Sequence, residues 1–184
     1  GKRVVVVSSG DPGVFGMATA LMEVLDTLDP QSGDVERFAQ LPIEIHPGVT
    51  AALAAAALVG APLGHDFAVL SLSDRLKPWE TIAQRVQACC TVDLAFAVYN
   101  PKSRARPHQI DTFIELLRRA RSPETLIIKV RAVGCEQEQY SVSTLADFTS
   151  DDVDMRTVLI VGSSRTRRVA VGDRQRVYTP RRYD

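Results

Sequence analysis

Four short segments combine glycine, a polar side chain and the end of an apolar run, the composition of loops that hold ligands. The first is Ser9-Gly10-Asp11-Pro12-Gly13. Its glycines let backbone approach a ligand closely, and a helix starting after it offers unpaired N–H groups. Asp11 would repel a phosphate, so it suits a ribose hydroxyl or an amino group; a structural strand-to-helix turn accounts for the segment equally well. In the second, Pro47-Gly48-Val49-Thr50-Ala51, Thr50 is placed either to cap a helix or to bond a ligand. The third is Tyr99-Asn100-Pro101, backed by the basic residues Lys102, Arg104 and Arg106. The fourth, Arg131-Ala132-Val133-Gly134-Cys135, directly follows an apolar run. Two further segments are more polar than their surroundings: His65-Asp66, and the stretch from Ser71 to Glu80.

Other chemistries lack their residues. No Gly-Lys-Ser/Thr follows a glycine run, so a Walker loop is not expected. His46, His65 and His108 lie far apart, and no Cys/His pair has metal-ligand spacing, so no metal site is expected. There is no Gly-x-Ser-x-Gly elbow, and Cys89 falls inside a helical pattern, where it reads as core rather than nucleophile. Cys89 and Cys90 are adjacent and Cys135 stands alone, which gives no disulfide framework.

The elements that must position these loops alternate. Residues 4–7 are four valines, the pattern of a central strand in a covered parallel sheet. A helical stripe of Met17, Leu21, Val24, Leu25 and Leu28 spans residues 15–28. Residues 43–46 read as a short strand and 50–59 as an alanine-rich helix. The breaker-rich Gly60-Ala61-Pro62-Leu63-Gly64 is the expected internal boundary, dividing the chain into domains 1–63 and 64–184. Beyond it, strands are expected at 67–72, 93–99, 126–130 and 157–161. Helices are expected at 78–88 and 107–120, the latter with Ile110, Phe113, Ile114 and Leu117 inward. Strand, glycine turn and helix in repetition predict an α/β fold with a parallel sheet.

The chain has 184 residues, 45% apolar and 24% charged, the balance of a globular protein. Length alone predicts one domain or two small ones. Its formal net charge is zero, which argues against nucleic-acid binding. Seven arginines lie in residues 165–184 against Asp173 and Asp184, a local charge of +5 that reads as solvated surface and leaves −5 on the rest. The apolar stretch 51–63 is too short to span a bilayer, and no signal-peptide pattern opens the chain, so a cytoplasmic protein is expected. Position 1 is Gly rather than Met, immediately before an apolar run, the pattern of a chain with sequence upstream.

Taken together, these loops resemble the tetrapyrrole methylase family, two-domain S-adenosylmethionine enzymes of corrin and sirohaem biosynthesis. The resemblance is carried by the run Val7-Ser8-Ser9-Gly10-Asp11-Pro12-Gly13-Val14-Phe15-Gly16 and by Pro47-Gly48-Val49-Thr50-Ala51, Tyr99-Asn100-Pro101-Lys102-Ser103 and Val161-Gly162-Ser163-Ser164-Arg165-Thr166. Gly64-His65-Asp66-Phe67, Ser71-Leu72-Ser73-Asp74 and Pro78-Trp79-Glu80 are similar to the ring-contracting branch in particular. The resemblance implies two α/β domains with the cofactor, S-adenosylmethionine, folded in the cleft between them. Its contacts would come from Gly10, Asp11, Pro12, Val14, Thr50, Ala51, Tyr99, Asn100, Ala132 and Val133. It implies methylation of carbon 17 of precorrin-3B, or of the cobalt-bearing counterpart, with contraction of the macrocycle to precorrin-4. Asp74, His65, Asp66 and Glu80 are the acid/base candidates for that contraction, each equally readable as a helix cap or surface ion pair. Arg75, Lys77, Lys102, Arg104 and Arg106 would grip the substrate's carboxylates. The family also implies a homodimer.

Two departures stand out. The family usually has Arg-Asn-Ala-Gly-Arg where this chain has Arg131-Ala132-Val133-Gly134-Cys135. The family's first strand and its glycine-proline loop have no match, so the first domain is expected to be truncated at its N-terminus. The alternatives are another member of the superfamily, acting on a different ring carbon or on ribosomal RNA, or a non-catalytic fragment serving in assembly.

Overall fold

The computed structural model describes residues 2–182; Gly1, on which the expectation of upstream sequence rested, lies outside them, as do Tyr183 and Asp184. The chain divides into two compact units, residues 1–51 and 52–184. The boundary expected at 63/64 therefore falls inside the second unit.

The first unit holds two helices, α1 (Met17–Asp26) and α2 (Asp34–Ala39). Helix α1 starts later than the apolar stripe predicts because Phe15 takes a left-handed backbone, φ 53°, which a helix cannot include. It ends at Thr27, whose N–H and hydroxyl both donate to the Glu23 carbonyl, at 3.1 and 2.8 Å. Helix α2 follows Gly33, held at φ 66°, and carries Asp34 and Glu36 in its first turn, where the helix dipole favours them. Neither helix buries a residue. The strands expected at 4–7 and 43–46 do not form. Valine favours extended backbone, but a strand exists only where a neighbour takes up its N–H and C=O groups. Among the described residues none does so for Val4, Val5, Val6 and Val7, which are 69–87% exposed.

All but the first residue of α3 (Ala51–Val59) belongs to the second unit, which continues with β1 (Gly60–Ala61), β2 (Phe67–Ser71), α4 (Trp79–Thr91), β3 (Ala95–Tyr99), α5 (Gln109–Ala120), β4 (Leu126–Arg131), β5 (Gln139–Thr144), β6 (Thr157–Val161), β7 (Arg167–Val171) and β8 (Arg174–Tyr178). Five strands form a sheet in the order β2-β3-β6-β4-β5. The expected parallel sheet is in fact mixed. Strands β2 and β3 are parallel, but β6 is antiparallel to both β3 and β4, and β5 is antiparallel to β4. It follows that β2, β3 and β4 all run the same way, with β6 reversed between two of them.

Both faces of the inner strands β3, β6 and β4 are covered, which is why these read as largely apolar runs. Phe96, Val98, Ile127, Leu159 and Val161 face a core completed by Ile82 and Val86 of α4 and by Ile110, Phe113 and Leu117 of α5. The alternate residues Ala97, Ile128, Val130, Val158 and Ile160 face the alanines of α3 and Val177 of β8. The small side chains of α3 bring its backbone close to the sheet, so its Ala52 and Ala55 are fully buried.

Strands β1, β8 and β7 make a second, three-stranded sheet. Gly60, expected to end a domain, instead pairs with Val177, and a side chain there would overlap the Val177 backbone. The arginine-rich C-terminal segment, expected as mere solvated surface, forms a hairpin that turns at Gly172. Arg168 donates to the Val142 carbonyl at 3.0 Å and Arg176 to the Leu58 carbonyl at 2.8 Å.

Candidate active site

The carboxyl ends of β2, β3 and β4 reach one edge of the five-stranded sheet, and β6 starts from that edge. In α/β sheets this is the edge where loops leave for the helices and ligands gather. Strand β2 delivers Ser71 there, buried, and β3 delivers Tyr99 and Asn100. The Asn100 amide donates to Ser71 Oγ at 2.9 Å, fixing which way the side chain points. Tyr99 OH accepts the Ala52 N–H at 2.7 Å, tying the end of β3 to the first turn of α3. Asn100 has a left-handed backbone, φ 51°, a conformation that asparagine tolerates better than most residues. Ala132, directly after β4, has the same conformation at φ 53°. The resemblance leads one to expect Asn there; alanine lacks the side chain that best suits such a backbone.

The basic loop behind Asn100 divides in two. Arg104 is exposed and Lys102 half-buried, its Nζ donating to the Ser150 carbonyl at 3.3 Å. Arg106 is buried. Its Nη1 donates to the carbonyls of Leu72 and Asn100 at 3.2 and 3.3 Å, and its Nε lies 3.8 Å from Asp74 Oδ1. Asp74 also accepts a hydrogen bond from Gln109 Nε2 at 2.9 Å. Ser103 and Arg106 exchange both backbone hydrogen bonds, at 3.2 and 3.0 Å, folding the loop back on itself. Arg75 is exposed, as is Glu80 in the first turn of α4, while Lys77 is pushed below the ordinary lysine range by burial and by Arg85.

Where β4 ends and β6 begins, Arg131 pairs with Asp154 at 2.9 Å and the Ala132 N–H donates to the Arg156 carbonyl at 2.9 Å. Burial opposes ionisation of Asp154, but the Thr157 hydroxyl, the Arg156 N–H and Arg131 together hold its carboxyl below the ordinary range. Val133 follows, half-buried, and Gly134 closes the loop with its N–H on Glu138 Oε2 at 2.7 Å.

In the first unit, Asp11 clasps two of the glycine turns. Its Oδ1 accepts the Gly13 N–H at 2.8 Å and its Oδ2 the Gly48 N–H at 3.0 Å. These bonds, Gly48 first, hold its carboxyl below the ordinary carboxylate range. A Cβ on Gly48 would overlap the Gly10 carbonyl oxygen, and Gly10 sits at φ 77°. Pro12 accepts the Ala18 N–H at 3.0 Å, leading into α1, and the Val14 N–H donates to Asp11 at 3.3 Å. Thr50 is buried and Ala51 half-buried.

The acid/base candidates separate. Asp74 and Glu80 follow β2, whereas His65 and Asp66 precede it, at the opposite edge of the sheet. There the Asp66 N–H donates to His65 Nδ1 at 2.7 Å, and His65 shares a shallow concavity with Asp93, Ser163 and Thr179. That edge is built around Arg121, whose side chain is buried, donates to the Cys89 and Leu94 carbonyls at 3.1 and 2.6 Å and pairs with Asp93. Asp93 accepts from Ser164 N–H and Oγ, at 2.9 and 2.5 Å. Burial opposes its ionisation, but Ser164 and Arg121 hold its carboxyl below the ordinary range.

The sequence reading missed Ser71 as the partner of Asn100 and the burial of Arg106; an arginine in a basic loop gives no signal of which way it turns. Among the described residues no group of three or more His, Cys, Asp or Glu is placed to hold a metal ion. No helix among them is long and apolar enough to cross a membrane.

Residues 1–149 match the family of tetrapyrrole (corrin/porphyrin) methylases. The whole chain is 46% identical, over 187 positions, to cobalamin biosynthesis protein CobIJ of Mycobacterium tuberculosis, of which it spans 35%. It is 45% identical over its full length to precorrin-3B C(17)-methyltransferase of a Sinorhizobium species, covering 70% of that protein. The crystal structure of the methyltransferase CobJ is 49% identical, with TM-score 0.88 across 98% of this chain and 71% of that one. On these grounds the chain belongs to the tetrapyrrole methylases.

Proposed function

We propose that the protein is an S-adenosylmethionine-dependent C-methyltransferase of cobalamin biosynthesis that methylates carbon 17 of precorrin-3B as the macrocycle contracts. The observation that carries this is 45% identity, along the whole of this chain, to 70% of a precorrin-3B C(17)-methyltransferase. The residues present suit the cofactor. Within the first unit the close-packed glycine backbone at Gly10 and Gly48 suits a ligand that approaches main chain, and within the second the left-handed turns at Asn100 and Ala132 turn backbone groups away from the strands. When bound, that cofactor supplies an electrophilic methyl group on a sulfonium.

The protein's own part is to hold the ring carbon in line with that methyl group and keep water out. Asp11, Thr50, Tyr99 and Asn100 would orient the cofactor, with Pro12, Val14 and Val133 packing on it. Lys102, Arg104, Arg75 and Lys77 carry the positive charge for the substrate's carboxylates. Asp74 and Glu80, which follow β2, are the stronger acid/base candidates than His65 and Asp66 at the far edge. The proposal extends to a cytoplasmic homodimer.

Titration with S-adenosylhomocysteine by calorimetry is the first test, with measurable heat expected. Incubation with precorrin-3B and, separately, with its cobalt-bearing counterpart and with ribosomal RNA then identifies the acceptor. Binding without turnover of any of them would leave the protein as a non-catalytic partner and overturn the assignment.

A further inference from the structure

We infer that Arg106 is a positioning residue for this site: it sets the backbone of Asn100, and it does so by bridging the ends of β2 and β3 from beneath. The inference rests on the cofactor reading given above, because that reading places Asn100 against the ligand.

The geometry carries it. Arg106 lies in a loop between exposed neighbours, yet among the described residues it is the one charged residue that is buried as a whole. A guanidinium taken out of water must find acceptors, and this one finds them in main chain rather than in a cavity. One nitrogen, Nη1, reaches the Leu72 carbonyl after β2 and the Asn100 carbonyl after β3. Asp74 supplies the counter-charge at 3.8 Å, and Gln109 in turn steadies Asp74. The remaining nitrogen, Nη2, lies 3.8 Å from Met155 Sδ, just before β6. A lysine, a point charge with no planar fork, could not span these groups at once.

Asn100 is thereby held at two points, its carbonyl by Arg106 and its side chain by Ser71. A left-handed backbone still costs a non-glycine residue energy, less for asparagine than for most, and its surroundings offset that cost. Arg106 is one of the two groups that do so. A surface arginine reaching for substrate carboxylates would leave its guanidinium in solvent, and Arg104, two residues earlier, is the exposed one.

The test uses the full chain carrying Arg106→Met, Arg106→Lys, Asn100→Gly and the Arg106→Met/Asn100→Gly pair. Without ligand, the Cα and Cβ chemical shifts of Asn100 report its left-handed backbone by NMR. Arg106→Met is expected to move them out of the left-handed range, with Arg106→Lys in between. With ligand, Arg106→Met is expected to weaken S-adenosylhomocysteine binding about tenfold, the worth of a charged hydrogen bond. Because both changes act on one feature, the double variant should lose far less than the product of the two single losses. Unmoved Asn100 shifts in folded Arg106→Met would overturn the inference, as would losses that multiply. If Arg106→Met fails to fold, Arg106→Lys is judged by the same two readouts. A wild-type protein that binds no S-adenosylhomocysteine refutes the cofactor reading instead, and the ligand-free shifts then decide the role of Arg106 alone.

Discussion

Two valine-rich runs meet opposite fates in this chain. Thr157-Val158-Leu159-Ile160-Val161 is β6, buried at every residue between two neighbours. Val4-Val5-Val6-Val7 is at least as β-prone by composition, yet it joins no ladder among the described residues and stands exposed. The contrast extends to helices: α5 buries Ile110, Phe113, Ile114 and Leu117, whereas α1 buries nothing. An apolar run permits a strand and an apolar stripe permits a packed helix. Neither happens without a surface to receive it, and the second unit supplies two such surfaces on one sheet.

The sharpest way to break this contrast is to cut the same kind of side chain from each run. Leu159→Ala removes a fully buried residue and is expected to cost about 3 kcal/mol, whereas Val6→Ala should stay within about 0.5 kcal/mol. Equal losses in urea denaturation would show that the first run is packed in solution. A smaller effect, within the second unit, tests whether its far edge depends on one charge. Asp93→Asn keeps the shape and the tolerance for φ 55° but loses the ionised partner of Arg121, and should cost about 2 kcal/mol. A variant as stable as the parent would mean that Ser164 alone holds that corner.

The smallest expected effect concerns the first unit, where the Asp11 clasp is the main built feature. Its carboxyl is held below the ordinary range by the Gly48 and Gly13 N–H groups, so the ionised form is the one that closes the turn. The clasp is therefore complete above the usual carboxylate pKa of about 4 and is lost as pH falls through the lowered value. In an NMR acid titration the Gly13 and Gly48 amides should shift together, at a midpoint below that of exposed carboxylates. Separate midpoints, or one at the ordinary value, would show that the two turns are not joined by Asp11.

The sequence disclosed element identity far better than direction or partnership. Helices α3, α4 and α5 and strands β2, β3, β4 and β6 lie where periodicity and glycine turns put them, to within a few residues. The reversal of β6 left no trace, because a strand covered on both faces reads the same whichever way it runs. Strand β5 alternates Gln139-Tyr140-Ser141-Val142-Ser143, a signal too short to stand out from a loop, and the arginine-rich β7 and β8 carry no clean alternation to find. At the site, Asn100 and Ala132 were legible as loop positions after strands. The inward turn of Arg106 was not, since only the fold shows that two carbonyls wait for it.

The reversed β6 also bears on how this protein is made. It fills the slot between β3 and β4, so the sheet's middle strand is the last of its five to leave the ribosome. Until residue 161 is free, the nascent chain can hold only a β2-β3 pair and a β4-β5 pair, each with a bare edge where β6 belongs. Closing that gap joins segments some sixty residues apart, a non-local step of the kind that slows folding and leaves edges open to other chains. Synthesis that stalls before Thr157 would thus release an aggregation-prone intermediate, while a few residues more would complete the sheet.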